Sequence, residues 1–272
     1  MLDDVNYELD RKNFKVMRFL LGSYMRANLL LTLVNSSSRL CSLRSNLGKS
    51  SATILHGVNE MESFNLILKD SKYYCLSSKG FMYGLALDKL CKNLYIFQSN
   101  TDFWQNHYID NLPNEFIENA YLIKDSVYRC SDKLDMEQPI KDYFKNIRNS
   151  KNIKIILPIF SDIYMEMILK TVKKKHKLEL IVDDDVFKNL KKSKYFKKIM
   201  KLSRDEKIIL RKYIGDLSLF LTFSNNFMSL NLFYKDGYFD DSETIFNDSP
   251  DGVKWAEIVF DYYLDNSSLI VL

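Results

Sequence analysis

Residues 39–64 carry two short helical patterns that one glycine separates. The first pattern ends at Gly48, and glycine favours the left-handed conformation that follows a helix. Ser50 is a good cap for the second helix, which we expect to run to about Phe64. A helix, a tight turn and a second helix predict a helix-turn-helix. The apolar residues that set the two patterns are Leu40, Leu43, Leu47, Ile54, Val58 and Met61.

The second helix has one apolar side, whose residues follow an i, i+4, i+7 spacing and are expected to face the core. The residues left on the outward surface are Ser51, Ala52, Thr53, Leu55, His56 and Asn59. Two short strands follow, at 66–69 and 72–76, with Asp70 and Ser71 between them. Because two further helical patterns precede the pair, residues 1–80 are predicted to form a winged helix-turn-helix domain.

The charge is distributed unevenly along the chain. Residues 11–80 hold 11 Lys/Arg and 3 Asp/Glu, whereas residues 213–272 hold 2 and 10. A basic N-terminal segment is typical of a protein with a polyanionic partner. A second basic block, at residues 141–212, holds 21 basic and 9 acidic side chains. This block has the pattern of amphipathic helices, and we interpret its lysine-rich side mainly as a solvated surface.

Residues 81–110 are predicted to be a linker and dimerisation helix, most of which belongs to one helical stretch from about Ser78 to Phe103. Apolar residues alternate there at spacings of four and three, which is the seam of a coiled coil. The seam residues are Tyr83, Leu87, Leu90, Leu94 and Phe97. We interpret this helix as a homodimerisation surface, because so long an apolar seam is costly to expose. The alternative is that it packs on its own chain.

Residues 111–272 alternate between strand and helix patterns, which predicts an α/β domain with a mixed sheet. Ile153–Ile159, a helix and Leu178–Val182 form a βαβ pattern. The candidate strands are Val127–Ser131, Ile153–Ile159, Leu178–Val182, Ile208–Tyr213, Leu217–Phe223 and Met228–Tyr234. The candidate helices are Glu115–Lys124, Glu137–Asn149, Asp162–His176, Asp184–Lys192 and Pro250–Leu264. The chain is thus expected to be a mixed α/β protein of two domains.

Several classes of protein are not favoured by the sequence. Its 4 cysteines form no CxxC pair, which argues against zinc and disulfides and for a reducing compartment. No signal peptide is visible and the apolar runs are too short to span a bilayer, so we expect a cytoplasmic protein without membrane contact. No phosphate loop, nucleophile elbow or HExxH is present. We expect no enzyme, cofactor or metal, since Asp183 to Asp185 are explained as a helix cap.

Two sets of stretches resemble known families. The first is Leu43-Arg-Ser-Asn-Leu-Gly48, Ser50-Ser-Ala-Thr-Ile-Leu55, Met61-Glu-Ser-Phe64 and Tyr74-Cys-Leu-Ser-Ser-Lys-Gly80. It resembles archaeal winged-helix regulators. The second is Phe103-Trp-Gln-Asn-His-Tyr-Ile-Asp-Asn-Leu-Pro113, Phe227-Met-Ser-Leu-Asn-Leu-Phe-Tyr-Lys-Asp-Gly237 with Tyr238 and Asp240, and Trp255 before Phe260-Asp-Tyr-Tyr263. It resembles the middle domain of methanogenesis regulatory proteins.

The resemblance implies a homodimeric archaeal transcription regulator whose C-terminal domain senses an effector. One departure is Asn65, which stands where such regulators usually have glycine between the recognition helix and the wing. Asparagine tolerates the left-handed conformation, so the turn remains accessible. The C-terminal order is also loosely similar to the phospholipase-D-type fold. The catalytic signature of that fold needs a lysine two residues after a histidine and is absent, because Lys177 follows His176 directly.

The winged-helix interpretation assigns roles on double-stranded DNA. The exposed N-terminal part of the recognition helix would enter the major groove, and phosphates would be held by basic residues around it. The base-facing candidates are Ser51, Thr53, His56 and Asn59. The phosphate candidates are Arg39, Arg44, Lys49, Lys69 and Lys72. The alternative is a protein-interaction winged helix whose polar surface is only solvated.

In the C-terminal domain, Trp104 and His107 are candidates for the pocket of an unidentified small-molecule effector. A structural hydrogen bond is the alternative role for His107. The leading hypothesis is a winged-helix dimer that reads an operator, with an effector-sensing C-terminal domain. The other hypothesis is a small-molecule-binding or enzymatic α/β protein with a winged-helix appendage.

Overall fold

A computed structural model describes residues 11–172 and 177–270. The chain divides into two compact units, Met1–Lys92 and Asn93–Leu272. The division falls within a helix, so the predicted linker at 81–110 is shared between the units instead of standing alone. Within the described ranges, no helix is both long enough and apolar enough to cross a bilayer.

The N-terminal unit has the element order of a winged helix-turn-helix. Its elements are α1 (Arg11–Leu21), α2 (Tyr24–Asn35), β1 (Ser38–Arg39), α3 (Leu40–Leu47), α4 (Ser51–Ser63), β2 (Ile67–Asp70), β3 (Tyr73–Leu76) and the start of α5 (Ser78–Ser99). The three strands form an antiparallel sheet in the order β1-β3-β2. Strand β1 was not predicted, because two residues are too short to show a period. The sheet fixes the hairpin beside α4.

The core of this unit joins α2, α3 and α4. Leu29, Leu43 and Ile54 are fully buried in it, together with the side of α4 that was predicted to face inward. Gly80, at the start of α5, lies against the backbone of Leu66, where an added Cβ would meet the carbonyl oxygen at 1.9 Å. The close approach requires glycine at this position and fixes the start of α5 against the segment before β2.

The C-terminal unit contains one eight-stranded sheet with helices on both faces. Its helices are α6 (Thr101–Asn106), α7 (Asn114–Glu118), a 3₁₀ turn (Ala120–Ile123), α8 (Gln138–Arg148), α9 (Asp162–Val172), α10 (Asp184–Lys192), α11 (Phe196–Arg204) and α12 (Pro250–Asp265). Its strands are β4 (Val127–Cys130), β5 (Ile153–Leu157), β6 (Leu178–Val182), β7 (Ile208–Tyr213), β8 (Leu219–Ser224), β9 (Phe227–Leu232), β10 (Glu243–Asn247) and β11 (Ser267–Leu269).

The strand order is β11-β7-β6-β5-β8-β9-β10-β4. Strands β5, β6 and β7 are parallel, and the remaining pairs are antiparallel. One face carries a core with α8 to α11, and the other carries a core that includes Trp255 and Phe260 of α12. The prediction of a mixed α/β fold with a mixed sheet is confirmed. Parallel strands buried on both faces explain the continuous apolar runs of β5 and β6.

Five features differ from the predicted elements. The helix predicted from Ser78 to Phe103 ends at Ser99, and α6 begins after Asn100. The helix predicted over Glu115–Lys124 is α7 and a 3₁₀ turn. Helix α11 and strands β10 and β11 were missed, because β11 is short and polar and β10 follows an Asp-rich loop. The last residues of the helix predicted to reach His176 lie outside the described ranges.

Candidate nucleic-acid interface

The turn between α3 and α4 is built as the sequence predicts. Gly48 adopts a left-handed conformation with φ 59°, and its N–H donates to the carbonyl of Arg44. The Ser50 hydroxyl accepts a hydrogen bond from the Thr53 N–H at 3.2 Å and lies 2.9 Å from the Thr53 hydroxyl. These contacts satisfy the N-terminus of α4 and fix the direction in which its first turn points.

Helix α4 presents a polar outward side, as expected. Thr53, His56 and Asn59 are exposed and Ser51 is half-exposed. His56 has 76% of its side chain exposed and lies 3.7 Å from Glu60. Leu55 differs from the prediction, since it is half-buried and packs against the core of the unit. Packing of Leu55 removes the one apolar side chain from the outward side, which leaves small polar groups suited to hydrogen bonding.

A carboxylate on the outward side of α4 would repel DNA, and the structure pairs Glu60, on the third turn of the helix, with a cation. Glu60 accepts a hydrogen bond from Arg26 of α2 at 3.1 Å. The Arg26 guanidinium also donates to the carbonyl of Phe19 and lies 4.2 Å from the centre of its ring. Because Arg26 is held between α1 and α4, the ion pair is a fixed part of the scaffold and offsets the negative charge near His56.

The phosphate candidates are all exposed, and none forms an ion pair with another residue in the described ranges. These residues are Arg39, Arg44, Lys49, Lys69 and Lys72. Arg39 is held in place, since its guanidinium lies 4.8 Å from the centre of the Tyr73 ring on the adjacent strand. Cations without acidic partners keep their full charge available for phosphates.

The wing is a tight hairpin next to α4. Asp70 pairs with Tyr73, so the connecting residues are Ser71 and Lys72, one position later than predicted. Ser71 has φ 54°, and Asn65, at the entry to the wing, has φ 56°. The expectation that Asn65 accepts the left-handed conformation is confirmed. Lys72 is therefore part of the hairpin tip, and Lys69 lies on β2 just before it.

The seam of α5 is divided by the structure. Leu87 is buried in the core of the N-terminal unit, and the Tyr83 hydroxyl donates to Asn13 of α1 at 2.8 Å. Phe97 packs against the α12-side core of the C-terminal unit. Only Leu90 and Leu94 of the five remain exposed, at 46% each. The prediction of one continuous dimer seam is therefore wrong for three residues, because each unit uses part of the same apolar pattern for its own core.

Trp104 and His107 lie in a packed interior. The Trp104 ring packs edge-on against Phe103 and Phe116, and His107 stacks on Tyr234 with ring centres 5.0 Å apart. Both side chains are buried. Their role in an effector pocket stays a prediction.

Hydrogen bonds use both nitrogens of His107. Nδ1 lies 2.7 Å from the carbonyl oxygen of Phe103, and Nε2 lies 3.0 Å from the Asp240 carboxylate. The Phe103 carbonyl accepts and so does an ionised Asp240 carboxylate, so both ring nitrogens are placed to donate. Burial alone would raise the pKa of Asp240, but hydrogen bonds from His107 and Ser242 hold it below its ordinary value. The structural alternative for His107 is the one observed.

No metal centre is indicated. Among the residues described, no group of three or more His, Cys, Asp or Glu side chains is arranged to hold an ion. Asp183 accepts a hydrogen bond from the Val186 N–H at 2.8 Å and caps α10, as predicted.

Comparison with known proteins identifies both units. The model of the N-terminal domain of methanogenesis regulatory protein FilR1 matches residues 14–95, and the model of its middle domain matches residues 136–266. Methanogenesis regulatory protein FilR1 of Methanothrix harundinacea (strain 6Ac) is 24% identical over 265 residues, which are 95% of this chain and 58% of that protein. The chain therefore spans less than two thirds of the length of this relative.

Two solved structures give weaker likenesses. TrmBL2, an archaeal chromatin protein, has a TM-score of 0.41 and 12% identity, over 94% of this chain and 99% of its own. A phospholipase D family member, Nuc from Salmonella typhimurium, has a TM-score of 0.38 and 13% identity, over 54% of this chain and 98% of its own. Scores this low carry no argument about function. On the two domain matches, the chain belongs to the family of methanogenesis regulatory protein FilR1, whose N-terminal and middle domains it carries in that order.

Proposed function

We propose that the chain is a DNA-binding transcription regulator that reads duplex DNA through α4 and the wing. The observation that carries this proposal is the polar outward side of α4, flanked by five exposed cations that have no acidic partner among the residues the structure describes. The first two turns of α4 offer hydroxyl and imidazole groups that hydrogen-bond base edges in the major groove. The cations offer sequence-independent phosphate contacts.

The test is binding of the full chain to a duplex from its own promoter region, measured by fluorescence anisotropy at increasing salt. The affinity is expected to fall steeply, because each phosphate contact lowers the log–log slope by about 0.9. An unrelated duplex of equal length measures the non-specific part. Absence of salt-sensitive binding to either duplex would overturn the proposal.

A homodimer is the second part of the proposal, supported by apolar residues that remain exposed. Leu90 and Leu94 lie one helical turn apart on α5. A second exposed stripe runs along α1 at spacings of three and four. It consists of Phe14, Met17 and Leu21, which are 40–55% exposed, and Tyr24 at the start of α2 is 84% exposed. Exposed apolar patches of this kind mark interaction surfaces, and two readers related by a twofold axis would match a pseudo-palindromic operator.

Leu90→Glu and Leu94→Glu are each expected to shift the chain from dimer to monomer in sedimentation velocity at micromolar concentration. A buried, unpaired carboxylate costs several kcal/mol, which exceeds the contribution of one leucine. The matched control is Leu85→Glu, because Leu85 is also 46% exposed and lies about 140° around the helix from Leu90. A wild-type monomer, or equal loss in all three variants, would contradict this interface.

The C-terminal unit is proposed to be the sensor of the regulator. Its support is the match to the middle domain of the family and the presence of a separate core in this unit. The predicted pocket at Trp104 and His107 is not retained in this proposal.

A further inference from the structure

A groove lies at the beginning of the three parallel strands. Lys154, Glu179 and Ile209 stand side by side in register on the face of the sheet that α12 covers. Two residues further along the strands, Ile156 and Ile181 are fully buried in the core on that face. The core on the α12 side therefore covers the sheet at Ile156 and Ile181 but not at the first residues of the strands. A cavity of about 560 Å³ lies over these first residues.

The groove carries an excess of positive charge. Its cations are Lys154, Lys177, Arg204 and Lys207, and its carboxylates are Glu179 and Glu206. Glu179 is already in an ion pair, because Arg211 donates to it at 2.9 Å. None of the four cations forms an ion pair with any residue in the described ranges. An anionic group is the chemistry that would satisfy them.

Lys154 is the cation with a defined position. Its ammonium lies 5.2 Å from the centre of the Phe260 ring and 5.6 Å from that of Phe223, so its stem is packed against the core. Lys154 and Lys207 are half-buried, whereas Lys177 and Arg204 are exposed at the rim. A partly desolvated ammonium without a carboxylate gains more from an anion than a fully hydrated one.

Apolar side chains line the rest of the groove. Ile209 of β7 is 43% exposed and Leu269 of β11 is 57% exposed. Both residues form walls of the cavity that Lys154 also lines. The volume lies within the range of small-molecule sites, which combine apolar walls with a few placed polar groups.

We infer that this groove binds a small amphiphilic anion: one carboxylate, sulfonate or phosphate group on an apolar body. The anionic group is held by Lys154 and the rim cations, and the apolar body lies on Ile209 and Leu269. The binding does not depend on DNA recognition. In the proposed regulator, this class of anion is the effector. The groove then takes the place of the pocket expected at Trp104 and His107.

The probe for this inference is 8-anilinonaphthalene-1-sulfonate, an anion on an aromatic body whose fluorescence rises in apolar sites. The full chain, without DNA, is expected to bind one equivalent. Lys154→Met keeps the stem over the two rings and is expected to weaken binding about tenfold, as expected for the loss of one charge-assisted contact. Ile209→Glu is expected to weaken it further, because it places a negative charge on the wall of the groove.

Two controls separate this site from other apolar surfaces. Lys254→Met removes an exposed lysine from α12 and should leave binding unchanged. Met17→Glu interrupts the exposed stripe of α1 and should also leave it unchanged. Thermal unfolding of each variant checks that the fold is kept. Unchanged binding of the probe in Lys154→Met and Ile209→Glu would overturn the inference, and so would loss of probe binding only in Met17→Glu. Neither result would contradict the DNA-binding proposal, because DNA binding of the wild type is a separate measurement.

Discussion

Replacing His107 with phenylalanine is expected to lower the free energy of unfolding by about 3–5 kcal/mol. The substitution keeps an aromatic ring between Phe103 and Tyr234 but removes both N–H donors. The Asp240 carboxylate, which is 1% exposed, would then be buried without the hydrogen-bond donor that lies 3.0 Å from it. The Phe103 carbonyl would lose its side-chain partner as well. Urea unfolding followed by tryptophan fluorescence measures the loss.

Asp240→Asn is the matched control, and it is expected to cost much less. The new amide can accept from Ser242 with its oxygen, as Asp240 does at 2.8 Å and 2.6 Å, and donate to Nε2 of a neutral imidazole. His107 then keeps its hydrogen bond to Phe103. The double variant should be more stable than the sum of the two single losses predicts. Equal losses in His107→Phe and Asp240→Asn would show that the charge pair does not govern stability here.

The same pair predicts a pH dependence with a definite sign. The pKa of Asp240 is lower in the folded chain than its ordinary value, because the hydrogen bonds from His107 and Ser242 outweigh the effect of burial. Its contribution to stability is therefore present above the unfolded-state value of about 3.9 and is lost as the pH falls through the lower folded value. Asp240→Asn should flatten the acid side of the stability curve. A variant curve parallel to that of the wild type would contradict this assignment.

Replacing Arg44 and Lys49 together with alanine is expected to weaken DNA binding roughly 10- to 100-fold at low salt, on every sequence tested. Both side chains are exposed beside the turn that leads into α4 and have no acidic partner in the described ranges. The log–log salt slope should become shallower by about two units for each protomer that binds. The loss should be uniform because phosphate contacts carry no base information.

Lys12→Ala with Lys15→Ala is the control for this variant, since it removes the same charge from α1. Helix α1 meets the C-terminal end of α4, where Phe19 stacks on Phe64 with ring centres 4.1 Å apart. These lysines therefore lie away from the first turn of α4, and the salt slope should change little. If the two double variants lose affinity equally, net charge and not the position beside α4 governs binding.

The sequence predicted those elements whose conformation depends on residues close to each other along the chain. The helix-turn-helix, the cap at Ser50 and the left-handed Asn65 all depend on residues within a few positions of each other. The amphipathic side of α4 was also correct, except for Leu55, whose partial burial depends on the rest of the core. Strands β5 and β6 were evident because burial on both faces requires continuous apolar runs.

The remaining differences arise from contacts that are distant in sequence. The partner of His107 is Asp240, 133 residues away, and no local pattern links the two. The seam of α5 is periodic whether it packs on a second chain or on its own units, so spacing alone does not choose between them. The groove at Lys154 depends on where α12 stops covering the sheet. That boundary follows from the packing of the whole unit and has no signature in the sequence.

The most direct test of the central claim is dimethyl sulfate probing of the promoter duplex, which reports guanine N7 in the major groove. The account predicts protection of two short clusters about one helical turn apart when the wild-type chain is bound. Replacing Ser51, Thr53 and His56 with alanine should reduce that protection while the salt slope is retained. Binding of the wild type without any protected guanine, on a site that contains several, would contradict the placement of α4 in the major groove.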